Sequence, residues 1–318
     1  ADSLQRLSLV MVPANLDLRL AIDADKVYYD RTAFDSIHGK IRVRNRAVNL
    51  REFNMQAWGA DMTMNFVYAS RSHRRADIGA DVAFDGIRVD SLVRSFSVLD
   101  STLPMLRSFE GKVDVLATAS AQLDSGGNIQ LPTLTAAMHL HGDSLVLLDG
   151  ETFTRISKAL MFKNKQRNLI DSVSVVITVQ DGKITVYPFV MEIDKYKVAV
   201  GGWQDMNMDY RYHISLLEAP MLKVLTRGGI TMYGNFNDAK LPRPKLGNPL
   251  YKEATTPAFV RQIAEARLAL GRQIMLQFEG WMNRERRRLR EVNFPKMEIP
   301  LDSMGEMGGA AYAADTVR

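Results

Sequence analysis

Five histidines carry most of the acid–base and metal-binding potential of this chain: His38, His73, His139, His141 and His213. His139 and His141 stand at i and i+2, the spacing that puts two imidazoles on one face of a strand and could offer them to a metal. Asp143 alone shares their parity, and no other carboxylate lies at ligand spacing. A polar strand face is the simpler reading, and neither a metal nor any other cofactor is expected. Carboxylate neighbours such as Asp23 and Asp25 occur on any solvated strand, whereas acid–base work needs a tuned, positioned pair. The chain contains no GxSxG, HExxH, P-loop or GxGxxG pattern, which leaves nucleophilic, zinc-dependent and nucleotide chemistry without their usual supports. Its 318 residues include no cysteine, removing thiol catalysis, thiolate metal sites and disulfides together. An enzyme is not expected.

Charge offers a different kind of chemistry. The formal net charge is +5, and much of the excess falls within 261–290, so the rest is nearly balanced and nucleic acid is not an expected partner. The run RERRRLR brings together Arg284, Arg286, Arg287, Arg288 and Arg290, with Phe278 and Trp281 just before it. Such a segment suits a membrane surface or anionic headgroups. It equally suits a docked helix with a solvated arginine face, tempered by Glu279, Glu285 and Glu291, that caps the open end of a sheet or lies along its mouth.

The elements that must position these residues are mostly strands. Residues 41–64 recur at 177–200, an offset of 136: Ile41, Val43, Val48, Leu50, Phe53, Met55 and Ala57 fall on Ile177, Val179, Ile184, Val186, Phe189, Met191 and Ile193. Each copy turns at one place, Asn45-Arg46 or Asp181-Gly182, with apolar alternation on both sides, so each reads as a hairpin leading into further strand. Alternation also marks 16–29, 60–68, 78–84, 111–123 and 229–236, and 134–149 reads as two short strands. A first helix is expected near 90–108, kinked or split by Pro104, and a second over 151–162. Pro242, Pro244 and Pro249 make 237–256 a linker. Thr256-Pro257 opens the longest helix, to about residue 292, with Phe259, Ile263, Leu270, Ile274, Phe278 and Met282 in one stripe. The tail, 293–318, lacks periodicity and is expected to be flexible.

Hydrophobic residues make up 46% of the chain, yet three helices cannot cover the apolar face of a dozen or more strands. Either the sheet folds on itself as a sandwich or barrel, or it curls into a trough whose inside stays apolar and holds something apolar. The strand number, the repeat and 17 methionines, whose soft side chains fit irregular guests, favour the trough. The expected fold is mainly β: a long curved antiparallel repeat sheet, a β-taco or hydrophobic groove, over 1–236, with three helices, the longest near the C-terminus. Met55, Met62, Met64, Phe66, Met191, Ile193, Val198 and Val200 are candidate floor positions, with ordinary packing as their alternative. Trp58 and Trp203 mark either the rim or the core.

The run from Leu148 to Pro220, with its FTRISKAL helix, DGKI hairpin, PF strand, DKYKVAVGG strand and YRYHISL strand, resembles the C-terminal region of AsmA-like proteins (AsmA/TamB type), especially those of Bacteroidetes. The pattern IHGKIRVRNRAVNLREFNMQAWGADMTM at 37–64 is similar to the repeating strand unit of the same family. The resemblance covers most of 16–292 and rests on the order of these segments, none of which is diagnostic alone. It implies a Gram-negative envelope protein, held in the inner membrane by an N-terminal helix not included here, with its body in the periplasm. It also implies a groove that binds and conducts phospholipid acyl chains between the membranes. Phospholipids are then the expected partners, with a membrane surface or an outer-membrane protein beside them. The competing expectation is a non-enzymatic assembly module for outer-membrane biogenesis, acting through protein contacts.

Overall fold

Two successive residues with positive φ close each of the hairpins that the repeat predicts: Asn45 (φ 53°) with Arg46 (φ 66°), and Asp181 (φ 50°) with Gly182 (φ 73°). Paired left-handed residues define the type I′ turn, whose twist matches that of the strands it joins. The computed structural model describes residues 9–29, 32–96, 99, 103–148, 167–193, 196–218, 228–238 and 245–283. These form β1 (Asp17–Tyr29), β2 (Thr32–Arg44), β3 (Ala47–Ala57), β4 (Ala60–Ser72), β5 (Arg75–Arg88), α1 (Val89–Ser95), β6 (Phe109–Glu110), β7 (Lys112–Leu123) and β8 (Thr135–Leu148). After them come β9 (Arg167–Gln180), β10 (Lys183–Ile193), β11 (Tyr196–Asp205), β12 (Asp209–Glu218), β13 (Gly229–Asn235), β14 (Lys245–Gly247) and α2 (Pro257–Met282).

All 14 strands belong to one antiparallel sheet whose order follows the chain, except that β6 pairs with β8 beside β7. The sheet is not closed: β1 forms one edge and β14 the other. Within β1–β5 and β9–β12 successive strands are joined by two or three residues, short hairpins that need no crossover, whereas longer connections join the rest.

The repeat persists in the register. Val43 faces Val48 and Ile41 faces Leu50, as Val179 faces Ile184 and Ile177 faces Val186. Each copy then slips at the same place, between Leu50 and Phe53 and between Val186 and Phe189, before Met55 meets Met62 and Met191 meets Val198. The two bulges are satisfied differently. Glu52 (φ 54°) turns its N–H to Asn65 Oδ1 at 3.0 Å. Its counterpart is Pro188, which has no N–H, and the counterpart of Asn65 is Gly201, where a Cβ would sit 3.0 Å from Pro188 Cα. Donor and acceptor are lost together, so no buried amide is orphaned.

Two α-helices occur among the described residues, where three were expected; the expected helix at 151–162 lies outside them. The segment expected as the first helix is split: α1 ends at Ser95, Leu99 is helical again, and Pro104 begins a separate 3-10 turn over Pro104–Ser108. Residues 134–149 give one long strand, not two. Ser144 (φ 58°) absorbs the irregularity that His141-Gly142-Asp143 suggests, and β8 continues past it beside β9. The supposed linker supplies β14 and a 3-10 turn, Lys252–Thr255; with prolines on both sides, it adds only a short edge strand.

Thr256 caps α2 by accepting a hydrogen bond from Phe259 N at 3.4 Å, with Pro257 in the first turn. This helix neither caps an end of the sheet nor lines a mouth. It crosses β3, β4, β5, β7, β8 and β9 on the face opposite the main core. Leu270, Ile274 and Phe278 pack on Val67 and Ala137, and Met282 packs on Ala47 and Ala69. The Phe278 ring lies so close over Gly79 that a Cβ there would come within 1.9 Å of it. Small outward residues thus form a furrow that the apolar stripe of α2 fills. Asn45 Nδ2 donates to the Met282 carbonyl at 2.5 Å, tying the first I′ turn to the helix end.

Candidate functional site

Strand pairing carries one apolar face across the molecule. From β1, Leu20 pairs with Ile41, Ile41 with Leu50, Leu50 with Phe66, Phe66 with Ala80, and Ala80 with Ala119. Ala119 then pairs with Ala136, Ala136 with Val179, and Val179 with Ile184. A neighbouring row passes through Met64, Val82, Ala117, Met138, Ile177 and Val186. Because side chains alternate, the polar partners of these residues face the other way.

The eight floor candidates all stand on this face, six of them as equivalent pairs of the two repeat copies (Met55 and Met191, Met62 and Val198, Met64 and Val200), but they differ in access. Met55, Met62, Met191, Ile193 and Val198 are buried in the main core. Met64 and Val200 are half-buried against it, and Phe66 is half-buried on the same row. Leu18 and Leu20, where the face reaches the β1 edge, remain 41% and 51% exposed.

An apolar cavity of about 240 Å³ opens over the middle of this face. Its floor includes Ala80, Ala117, Ala119, Ala121 and Ala136; Leu92, Phe96, Leu99 and Leu103 stand across from them. The space follows from side-chain size: Ala80, Ala119 and Ala136 are direct cross-strand neighbours, so three adjacent strands present only methyl groups along this row, and on the middle strand Ala117 and Ala121 extend it to either side. Sequence reasoning missed these alanines because it sought bulky floor residues. The A-x-A-x-A spacing of Ala117, Ala119 and Ala121 was the available signal.

At one end of the cavity α1 is anchored by aromatic rings. Trp58 meets Phe34 at 5.6 Å and Phe96 at 5.4 Å, both edge to face, and Phe84 meets Phe96 at 6.0 Å. Such contacts add about 0.5–1.5 kcal/mol each beyond area burial. Trp58 is therefore a packing residue. Trp203 stands on the opposite face with Lys183 Nζ 4.6 Å from its ring centre. Near the turn that ends β11, fully buried Gln204 accepts a hydrogen bond from Tyr212 at 3.4 Å, and burial raises the Tyr212 pKa above the usual phenol range.

Trp281, expected at a membrane interface, is half-buried in the helix–sheet contact, its ring stacked on Phe278 at 5.6 Å. Arg284, Arg286, Arg287, Arg288 and Arg290 lie outside the described residues, as does the tail at 293–318. His139 and His141 do share a strand face, but His139 Nε2 lies 2.8 Å from Ser174 Oγ and His141 Nε2 lies 3.6 Å from Asp143 Oδ2. No group of three or more metal-ligating side chains occurs among the described residues. No family model, curated protein or solved structure matches the chain.

Proposed function

We propose that the protein binds phospholipid acyl chains on the apolar face of its sheet and conducts them along it, without catalysis. One observation carries this reading: the face runs from Leu20 in β1 across successive strands and stays incompletely covered, at Leu18, Leu20, Met64, Phe66, Ala119 and Met138 among others. At ~4.8 Å per strand, the eleven steps from β1 to β13 along the sheet path span roughly 50 Å. An acyl chain reaches across half a bilayer core, ~15 Å, so several chains could occupy the face in file, or one could slide along it.

The energetics suit a conduit. A phospholipid with roughly 30 methylenes loses about 24 kcal/mol of transfer free energy if its tails enter water, at ~0.8 kcal/mol each. A continuous apolar floor removes most of that barrier, while headgroups remain in solvent at the open side. The sheet is then a trough, with the alanine-floored cavity opening onto it. The competing scaffold reading needs an interior sealed by opposing layers, which an unclosed sheet does not favour. Movement of lipid between the inner and outer membranes, a periplasmic location and an N-terminal inner-membrane anchor follow from the AsmA-like resemblance and form part of the proposal. No helix among the described residues is long and apolar enough to cross a membrane.

The test is purification without detergent, followed by lipid extraction and mass spectrometry. Near-stoichiometric phospholipid is expected. Protein that emerges lipid-free, and takes up none from phospholipid vesicles, would exclude the reading.

A further inference from the structure

A second cavity, of about 280 Å³, lies on the other face of the sheet, beneath the first half of α2. It arises from the β10 bulge: the slip between Val186 and Phe189 leaves Tyr187 and Pro188 beside the helix, among the residues that line this space. Its walls are otherwise mainly aliphatic, including Val176, Val190, Val260 and Ile263. Polar groups come from four separate elements: Arg267 of α2, His139 of β8, Ser174 of β9 and Tyr187 of β10, whose hydroxyl is already hydrogen-bonded to Thr178.

The first three of these groups are poised rather than spent. Arg267 is half-buried and has no hydrogen-bonding or ion-pairing partner among the described residues. Burial lowers its pKa from the ordinary guanidinium value. It also lowers that of His139, and the Arg267 charge acts in the same direction. His139 Nε2 shares a hydrogen with Ser174 Oγ at 2.8 Å, which leaves its other ring nitrogen to bond elsewhere. A partly desolvated cation without a counter-ion is unfavourable, and an anion would relieve it.

We infer that this cavity binds a carboxylate attached to a single apolar tail, with Arg267 pairing the carboxylate, His139 and Ser174 flanking it, and the aliphatic walls enclosing the tail. A guanidinium fork matches the two oxygens of a carboxylate. Mostly apolar walls with a few convergent polar groups are the usual make-up of a ligand pocket, and this volume falls just below the ~300–1,000 Å³ range of drug-sized sites. That is room for one short tail, not for a two-tailed lipid. The site lies across the sheet from the proposed acyl-chain path and does not depend on it.

Isothermal titration of the full chain with octanoate, octan-1-ol and acetate tests the inference. Octanoate should bind one to one, with the alcohol and acetate at least tenfold weaker. Arg267→Gln should weaken octanoate at least tenfold and leave octanol unchanged. Val190→Trp should fill the space and abolish octanoate binding. In the unaltered protein, octanoate should move the ring resonances of His139 and leave those of His213 in place, a readout that needs no folded variant. Octanol binding as tightly as octanoate, octanoate affinity unaffected by Arg267→Gln, or an unmoved His139 ring would each overturn the assignment.

Discussion

Replacing Ala119 with leucine separates an empty apolar space from an ordinary packed core. Ala119 sits between Ala80 and Ala136 on the floor of the 240 Å³ cavity. Leucine adds three carbon atoms. At ~0.8 kcal/mol for each buried methylene, filling real space should stabilise lipid-free protein by roughly 2 kcal/mol, an upper bound because some of the floor is already covered. For a domain of this size that corresponds to a rise of about 4 °C in melting temperature. The same leucine takes room from a guest chain, so lipid recovered from protein purified without detergent should fall. Differential scanning calorimetry of lipid-stripped protein, with extraction and mass spectrometry of the unstripped form, reads both effects. Overpacking a filled core instead costs about 1–3 kcal/mol. A lower melting temperature, with unchanged lipid content, would refute the claim that this space is available.

Other expectations follow from the rest of the molecule. Gly79→Ala should cost about 1–3 kcal/mol because its Cβ meets the Phe278 ring, and Phe278→Ala about 3–5 kcal/mol; in combination they should cost less than their sum. Neither should change lipid content, because both act on the opposite face; lipid loss at constant fold would contradict that separation. Burial, reinforced by Arg211, lowers the His213 pKa to about 4, and the ring is wedged between Thr231 Oγ1 at 2.8 Å and Leu250 N at 3.3 Å. The unfolded chain, with a His pKa near 6.5, therefore binds a proton that the fold refuses. Stability should fall as pH drops below about 6.5, by about 2 kcal/mol at pH 5, with no further contribution below pH 4. Urea midpoints should carry that dependence, and His213→Asn should flatten it; an identical slope in the variant would exclude His213 as the source. Arg46→Gly removes a left-handed arginine from the first hairpin and should stabilise by up to about 1 kcal/mol, the ~1–2 kcal/mol strain being partly offset by glycine's entropy. Destabilisation on thermal unfolding would show that the arginine is not strained.

Local signals were legible in the sequence to the extent that local physics governs them. The two-copy repeat announced both I′ turns, because Asn45-Arg46 and Asp181-Gly182 interrupt period-two alternation in the same way. The α2 stripe was readable from Ile263 to Met282, and all its named members are buried apart from half-buried Phe259. Which face α2 covers was not readable from the helix alone. That depends on Gly79, Val67, Ala69 and Ala137 lying together, from strands 10 to 70 residues apart, on one outward patch. The bulges were equally obscure: the repeat aligns Glu52 with Pro188, but the two share no chemistry, and only the pairing shows that the register slips there. Among the floor candidates, size misled the reading. Bulky Met55, Met62 and Met191 fill the core, whereas the open volume sits above alanines.

Site-specific photocrosslinking tests the account at its centre. A photoreactive side chain placed at Met64 or Met138, on the apolar face, should capture phospholipid from vesicles or from cells. The same group at Leu116, 45% exposed on the outer face of β7, should capture none. Equal labelling at all three positions, or none at Met64 and Met138, would contradict the claim that this face carries acyl chains.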